Sequence, residues 1–207
     1  MERTESNQKY IEKVHKIPDE IDASKILNLN IGILGHIDSG KTSLAKRLSS
    51  IASTACFDKN PQSQERMITL DLGFSAFFLK TPNFLKEKFP DCERLINSDY
   101  LQITLVDCPG HASLIKTVVA GANIIDLMVL VIDIVKGIQV QTTECLILGE
   151  ILADKMVVAL NKIDMIDKAN REKDIELKIT KLRNGFAQTK FGKDIKIQPV
   201  AANPSNR

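Results

Sequence analysis

The sequence predicts an α/β fold of three layers, in which a mostly parallel sheet of six to seven strands is covered by helices on both faces. Short apolar runs rich in β-branched residues alternate with segments of helical spacing along most of the chain. The length of 207 residues is enough for one domain with a full core. It is too short for two independent catalytic domains.

Composition excludes several classes of protein. Hydrophobic residues make up 43% of the chain, so we expect most of it to fold. The 28 Lys and Arg residues against 26 Asp and Glu leave a net charge of +2, too balanced for strong nucleic-acid binding by this domain alone. The most apolar stretch, residues 124–135, is interrupted by Asp126 and Asp133, so we expect no membrane span or membrane partner.

The N-terminus contains no apolar run that could form the core of a secretory signal. The cysteines are too widely spaced for a zinc site, and they fit a reduced, cytoplasmic setting: Cys56, Cys92, Cys108 and Cys145. We therefore expect a cytoplasmic protein.

Along the chain, residues 1–29 alternate acids and bases without a sustained apolar face. They predict a mobile polar extension with at most one short helix around residues 10–14. Residues 30–207 are expected to form the domain proper. Its strands are predicted at residues 30–34, 70–79, 101–106, 127–134, 156–160 and 195–200, and its helices after Gly40 and at about residues 112–122, 142–153 and 169–187.

The second and third strands are separated by a polar insert, residues 80–100, in which we find no convincing helix. A parallel pair needs a long crossover, usually a helix. We therefore expect these two strands to form one antiparallel pair at the edge of the sheet.

The first candidate site follows the first strand. Residues 35–42 read GHIDSGKT and fit the pattern G-x-x-x-x-G-K-[ST] between a strand and a helix. The glycines let backbone N–H groups face phosphates, while Lys41 supplies a cation and the Thr42 hydroxyl a ligand for Mg²⁺. The alternative is a fortuitous glycine turn.

The second candidate site is the sequence LVDCPGH at residues 105–111. Asp107 ends a strand at the carboxyl edge of the sheet, where ligands bind in such folds, and can join the Mg²⁺ shell. The Gly110 amide can meet a terminal phosphate, and His111 is a candidate for orienting the attacking water. Alternatively, Asp107 caps the following helix and His111 is a solvated loop residue.

The third candidate site is Asn161, Lys162, Ile163 and Asp164, directly after an apolar strand. A carboxylate can accept two hydrogen bonds from N1–H and the exocyclic amino group of guanine, whereas adenine offers no such donor pair. Asp164 thus favours guanine over adenine. The alternative is that the Asp164 side chain only caps the N-terminus of a helix.

These motifs, in this order, resemble the guanine-nucleotide-binding domain of translational GTPases over about residues 28–202. Residues 52–74 (ASTACFDKNPQSQERMITLDLGF) resemble the branch of eukaryotic-type selenocysteine-specific elongation factors. The resemblance implies a P-loop GTPase fold, binding of GTP and GDP with Mg²⁺, and hydrolysis of GTP to GDP and phosphate.

The resemblance also implies residue roles. Thr69 would close over Mg²⁺ and the γ-phosphate, Gly110 would anchor the second switch, and the ribosome would place His111 for catalysis. Ile37 and Ile68 would form a hydrophobic gate beside this histidine.

At the base, Asn161 would tie its loop to the phosphate loop and Lys162 would lie along the guanine face. Ala201 and Ala202 stand where Ser-Ala is usual, with a backbone N–H as the expected contact to the guanine carbonyl. Asp38 matches a residue that helps hold a monovalent cation in some relatives.

Besides the gate residues Ile37 and Ile68, the predicted site contains nucleotide-binding residues, catalytic residues and metal ligands. The nucleotide-binding residues are Gly35, His36, Ile37, Asp38, Ser39, Gly40, Lys41, Thr42, Ser43, Asn161, Lys162, Asp164, Ala201 and Ala202. The catalytic residues are Lys41, Thr69, Gly110 and His111, and the metal ligands are Thr42, Thr69 and Asp107.

The expected partners are the ribosome and selenocysteinyl-tRNA, reached through β-barrel domains that family members carry and that we expect to be absent from this chain. We expect a monomer whose hydrolysis is slow alone, about 10⁻⁴ s⁻¹ in unaided small GTPases. One alternative is the γ subunit of a tRNA-delivering initiation factor. Its members generally carry a cysteine-rich knuckle between the first switch and the second motif, where this sequence has only Cys92. Two further alternatives are a nucleotide-binding module without significant hydrolysis and a structural adaptor with a vestigial site.

Overall fold

The computed structural model describes residues 13–14, 22–49, 73–107 and 125–203 of the chain. Its strands are β1 (Lys13–Val14), β2 (Ile26–Gly35), β3 (Gly73–Lys80), β4 (Tyr100–Asp107), β5 (Leu127–Asp133), β6 (Met156–Asn161) and β7 (Lys196–Pro199). They form one sheet in the order β1-β3-β4-β2-β5-β6-β7. Neighbours from β4 to β7 are parallel, whereas β3 is antiparallel to β4 and β1 is antiparallel to β3.

Helices cover both faces of this sheet. Their bounds are α1 (Lys41–Leu48), α2 (Asn83–Lys88), α3 (Glu93–Ile96), α4 (Val140–Leu152) and α5 (Arg171–Phe186), with short 3₁₀ turns at Ala23–Lys25 and Ile163–Met165. Side chains of α4 and α5 pack in one core cluster with alternate strand residues such as Leu130 and Val158. Side chains of α1 pack with the neighbouring strand residues, Val131 and Ala159, in a second cluster. Because successive residues of a strand point to opposite faces, the two clusters are the two halves of a three-layer core.

Four adjacent parallel strands end together at one edge of the sheet. Their last residues are Asp107 (β4), Gly35 (β2), Asp133 (β5) and Asn161 (β6). The carboxyl edge of a parallel sheet is the usual place for a ligand site in this class of fold.

The predicted three-layer α/β fold is confirmed, and so is the antiparallel pair of β3 and β4 at residues 73–80 and 100–107. The predicted helices at residues 142–153 and 169–187 correspond to α4 and α5. The helix predicted at residues 112–122 lies outside the described residues, as does the start of the strand predicted from residue 70.

Two expectations for the insert and the N-terminal segment were wrong. Residues 80–100 contain α2 and α3, which have 6 and 4 residues and are too short to produce a recognisable helical period. The first strand begins at Ile26 rather than at residue 30, because its first residues pair with Tyr100–Ile103 of β4.

The residues around position 14 also differ from the predicted short helix. Lys13 and Val14 form β1, which pairs with Leu79 and Phe78 of β3 and adds a second antiparallel pair. Such pairing depends on a distant strand, so local sequence carries no signal for it. No helix within the described ranges is both long and apolar enough to cross a membrane.

Candidate functional site

The loop between β2 and α1 curls because three of its residues have positive φ angles. Asp38 has φ 61° and Gly40 has φ 93°, and Gly35 begins the loop at φ 153°. A Cβ atom on Gly40 would collide with the side-chain amide of Asn161. Glycine is therefore required at this position by both its backbone angle and its close neighbour.

The loop delivers a cation and a helix N-terminus to the same place. Lys41 is only 8% exposed, and its Nζ donates hydrogen bonds to the carbonyl oxygens of Gly35 (3.0 Å) and His36 (3.1 Å). The side chain thus folds back across the loop. Because the first N–H groups of a helix have no partner inside the helix, α1 begins with donors suited to an anion such as phosphate.

Thr42 and Asp107 meet beside the loop. The Thr42 hydroxyl donates to Asp107 Oδ2 over 2.7 Å. Asp107 is 1% exposed, and its Oδ1 has no hydrogen-bond partner among the described residues. Burial raises the pKa of this carboxyl group, while the Thr42 hydrogen bond and the nearby Lys41 charge act in the opposite direction.

This pair fits a Mg²⁺ ion. Mg²⁺ prefers oxygen ligands and is usually bound by one or two protein oxygens together with phosphate oxygens and water. A buried carboxylate with one unsatisfied oxygen, next to a hydroxyl, supplies such ligands and gains a compensating positive charge. The third predicted ligand, Thr69, lies outside the described residues.

Asn161 joins three segments of the chain. It is 2% exposed, its Nδ2 donates to the Ser39 carbonyl (2.9 Å), and its Oδ1 accepts from the Ala202 N–H (3.0 Å). The phosphate loop, the end of β6 and the segment after β7 are thereby held together. Each bond satisfies a backbone group that would otherwise be buried without a partner.

Lys162, the next residue, has a left-handed conformation with φ 65° and ψ 34°. Such a conformation costs a residue with a Cβ about 1–2 kcal/mol. Its Nζ forms an ion pair with Asp133 Oδ2 at 2.8 Å. Asp133 Oδ1 also accepts from the N–H groups of Val135 (2.8 Å) and Lys136 (3.2 Å).

The pKa of Asp133 is set by two opposing effects. Burial raises the pKa, but the hydrogen bonds from Lys162 and from the two backbone N–H groups, together with the Lys162 charge, outweigh burial, and the pKa lies below its ordinary value. Asp133 is therefore ionised at neutral pH, and both of its carboxylate oxygens accept hydrogen bonds.

Asp164 lies in the 3₁₀ turn Ile163–Met165 and is half-buried. Arg171, at the start of α5, is hydrogen-bonded to this turn. Its Nη2 donates to the carbonyl oxygens of Asp164 (3.3 Å) and Ile166 (3.0 Å). The backbone that carries the Asp164 carboxylate is thereby fixed to a helix.

The phosphate loop and the turn after β6 enclose one pocket of about 510 Å³, which several of these residues line. Ligand sites commonly have volumes of about 300–1,000 Å³. One wall is formed by the phosphate loop and the other by the turn after β6. The lining residues are Asp38, Gly40, Ser43, Asn161, Lys162, Asp164, Met165, Ala202 and Asn203.

Half of the fourteen predicted nucleotide-binding residues line this pocket: Asp38, Gly40, Ser43, Asn161, Lys162, Asp164 and Ala202. His36 and Ile37 are half-buried in the loop, where His36 Nδ1 contacts the Ile37 carbonyl. Ala201 is also half-buried, directly before Ala202. The predicted residues Ile68, Thr69, Gly110 and His111 lie outside the described residues.

Sequence reasoning missed Asp133 and Arg171. Asp133 ends β5 at the same edge as Asp107 and Asn161, so the rule that singled out those residues could also have found it. In the described part of the chain, Arg171 donates its side-chain hydrogen bonds to backbone carbonyls of a turn. No sequence pattern marks that contact.

Comparison with known proteins gives three findings. The model of the elongation factor Tu GTP-binding domain family matches residues 27–204. A mouse selenocysteine-specific elongation factor is 52% identical over 182 residues, which are 88% of this chain and 30% of the mouse protein. Subunit gamma of translation initiation factor 2 from Thermococcus onnurineus is 36% identical over 160 residues, covering 72% of this chain and 36% of that protein.

Among solved structures, elongation factor SelB from Methanococcus maripaludis, in complex with the GTP analogue GPPNHP, is similar with a TM-score of 0.57. The two are 31% identical, and the match covers 86% of this chain and 30% of SelB. The chain therefore spans about a third of the length of the relatives that it matches.

Proposed function

Because the chain belongs to the elongation factor Tu GTP-binding domain family, we propose that it is the guanine-nucleotide switch of an elongation factor that delivers selenocysteinyl-tRNA to the ribosome. The observation that carries the nucleotide assignment is the single pocket between the phosphate loop and the turn bearing Asp164. Its two walls are suited to the two ends of one nucleotide, phosphates on one side and base on the other.

At the phosphate end, the α1 N-terminus and Lys41 neutralise the negative charge of the phosphates. Thr42 and Asp107 would hold Mg²⁺, which would supply positive charge to stabilise the phosphates. That charge would compensate the carboxylate of Asp107, whose pKa is raised by burial. Phosphates approach closely because the loop carries no side chain at Gly35 and Gly40.

At the base end, the Asp164 carboxylate accepts from N1–H and the exocyclic amino group of guanine. Adenine lacks this donor pair, so Asp164 selects the base. The Lys162 stem lies along the base, and the Ala201–Ala202 backbone supports the carbonyl side. Asn161 keeps this end at a fixed distance from the phosphate loop through its bond to Ser39.

For hydrolysis, we assign His111 to orienting the attacking water and Thr69 and Gly110 to sensing the terminal phosphate. Ile37 and Ile68 restrain His111 until the ribosome acts. Exposed Asp38, with its left-handed backbone at the pocket wall, is assigned to a monovalent cation. Hydrolysis by the chain alone is slow, because completing such a site by a partner accelerates GTPases by about 10⁵-fold.

The partners of the whole protein follow from its relatives. A mouse relative is named a selenocysteine-specific elongation factor, and it continues well beyond the part that this chain matches. We therefore assign recognition of selenocysteinyl-tRNA to further domains, place the protein in the cytoplasm and expect it to act as a monomer.

The test of this function uses the full-length protein. GTP hydrolysis is measured with ribosomes in the presence of selenocysteinyl-tRNA, seryl-tRNA or initiator methionyl-tRNA, with His111→Ala as the control variant. We expect strong stimulation with selenocysteinyl-tRNA only, and none in the variant. Equal stimulation by all three tRNAs would contradict the selenocysteine assignment, whereas undiminished hydrolysis by the variant would contradict the role of His111.

The second candidate is the γ subunit of a tRNA-delivering initiation factor, supported by 36% identity to such a subunit against 52% to the mouse elongation factor. In the same experiment, stimulation of GTP hydrolysis by initiator methionyl-tRNA only would favour this second candidate.

A further inference from the structure

Asp133 is a buried carboxylate next to the base end of the pocket, but it does not line the pocket. Its two oxygens accept from the Lys162 ammonium group and from two backbone N–H groups of the loop after β5. It lies directly opposite Asn161 in the pairing of β5 with β6. The carboxylate is thus fixed by its own strand and loop. Among the described side chains, that of Lys162 links the carboxylate to the pocket lining.

Lys162 is the residue at which the chain turns from β6 into the 3₁₀ turn. It does so in a left-handed conformation that residues with a side chain rarely adopt. Strained conformations persist only where the surrounding structure fixes them. The Lys162 side chain forms its ion pair with Asp133 here; the lysine side chain is 28% exposed and the aspartate side chain 6% exposed.

We infer that Asp133 is a positioning residue for guanine recognition, which holds Lys162 in its left-handed conformation and thereby presents Asp164 to the base. This inference rests on the proposed function, because it assigns to Asp164 the role of binding guanine. The carboxylate acts through Lys162 and never touches the nucleotide.

Two consequences separate this role from general stabilisation. Asp133 acts on the base end, so its loss weakens GDP and GTP binding by the same factor. Inosine nucleotides lack the exocyclic amino group that Asp164 binds, so they depend less on the placement of Asp164. Loss of Asp133 therefore reduces the preference for GDP over IDP.

The test is a double-mutant cycle of Asp133→Asn and Lys162→Met in the full 207-residue chain. Asparagine retains one oxygen for the Val135 and Lys136 N–H groups, but its amide NH₂ then faces the Lys162 ammonium, donor against donor. Methionine retains an apolar stem and removes only the charge. Asp126→Asn is the matched control, since Asp126 also accepts from a backbone N–H, that of Asn30 (2.8 Å), at the opposite end of β5.

Dissociation constants for GDP, GTP and IDP are measured by competition with fluorescent GDP. We expect Asp133→Asn to weaken GDP and GTP binding by about tenfold each, the order of effect of one charge-assisted hydrogen bond. IDP binding should weaken less, so the ratio of the IDP to the GDP dissociation constant falls. In the Lys162→Met background, Asp133→Asn should have little further effect, and Asp126→Asn should change nothing.

Unchanged GDP affinity in Asp133→Asn would overturn the inference and leave the proposed function intact. Additive effects of the two substitutions would also overturn it, because Asp133 would then act through the loop at residues 135–136. If the unaltered chain binds no guanine nucleotide while it binds other nucleotides or none, the proposed function fails, and the inference fails with it.

Discussion

Replacing Asn161 with alanine should both destabilise the protein and open its nucleotide pocket. The side chain makes two buried hydrogen bonds, to the Ser39 carbonyl and from the Ala202 N–H. Losing two such bonds costs about 2 kcal/mol, and each backbone group left buried without a partner adds up to about 1–3 kcal/mol. The adjacent pocket can admit water to these two backbone groups, which removes most of the second cost, so we expect a total loss of about 2–3 kcal/mol.

The assay is urea and thermal unfolding together with GDP titration. In a domain of this size a loss of 2–3 kcal/mol lowers the melting temperature by about 4–12 °C. GDP affinity should also fall, because the phosphate and base ends are no longer held together. Asn203→Ala is the control, since Asn203 lines the same pocket but is exposed. A change below about 0.5 kcal/mol, the size typical of surface substitutions, together with normal GDP binding would refute this reasoning.

Three further predictions follow from the site. Gly40→Ala should abolish GDP binding in a fluorescence titration because its Cβ meets the Asn161 amide, whereas Gly137→Ala, also at positive φ but with open space around its Cβ, should bind GDP normally. Asp107→Asn should raise the melting temperature of the nucleotide-free protein, because it removes a charge whose burial raises the pKa of this carboxyl group; Mg²⁺ should then no longer strengthen GDP binding in calorimetry. Because the folded pKa of Asp133 is depressed, its contribution to stability is present above its ordinary value of 3.8 and is lost as the pH falls through the folded value. The free energy of unfolding of Asp133→Asn should therefore lie below that of the unaltered chain by the same amount at pH 7 and pH 5 and approach it below pH 3.8; a difference that grew at low pH would contradict the prediction.

A strand or helix could be predicted from the sequence where its own residues show the hydrophobic pattern typical of that element. The apolar runs that correspond to β2 and to β4 to β7 are short and rich in β-branched residues, and several are separated by segments with helical periodicity. Each run therefore predicted a strand from its own residues. The two short helices of residues 80–100 carry no such period, and the two-residue strand β1 exists only through pairing with β3. Tertiary contacts decide these elements.

The candidate site was predictable for a related reason. Glycine, lysine and carboxylate motifs that follow parallel strands must meet at one edge of the sheet, which brought Gly40, Asp107 and Asn161 into one prediction. The supporting contacts were not predictable from motifs. Within the described ranges, the hydrogen bonds of Arg171 go to backbone carbonyls, which no side-chain motif marks. The pairing of Asp133 with Lys162 depends on the left-handed conformation of Lys162, which the sequence does not indicate because the residue is not glycine.

The central claim is that the pocket binds guanine nucleotides through Asp164. The most direct measurement is a titration of the chain with fluorescent GDP in Mg²⁺, competed with ATP and with xanthosine diphosphate, for the unaltered chain and for Asp164→Asn. We predict that GDP binds, that ATP does not compete, and that the substitution shifts the preference towards xanthosine diphosphate. Competition by ATP, or an unchanged base preference in Asp164→Asn, would contradict the account.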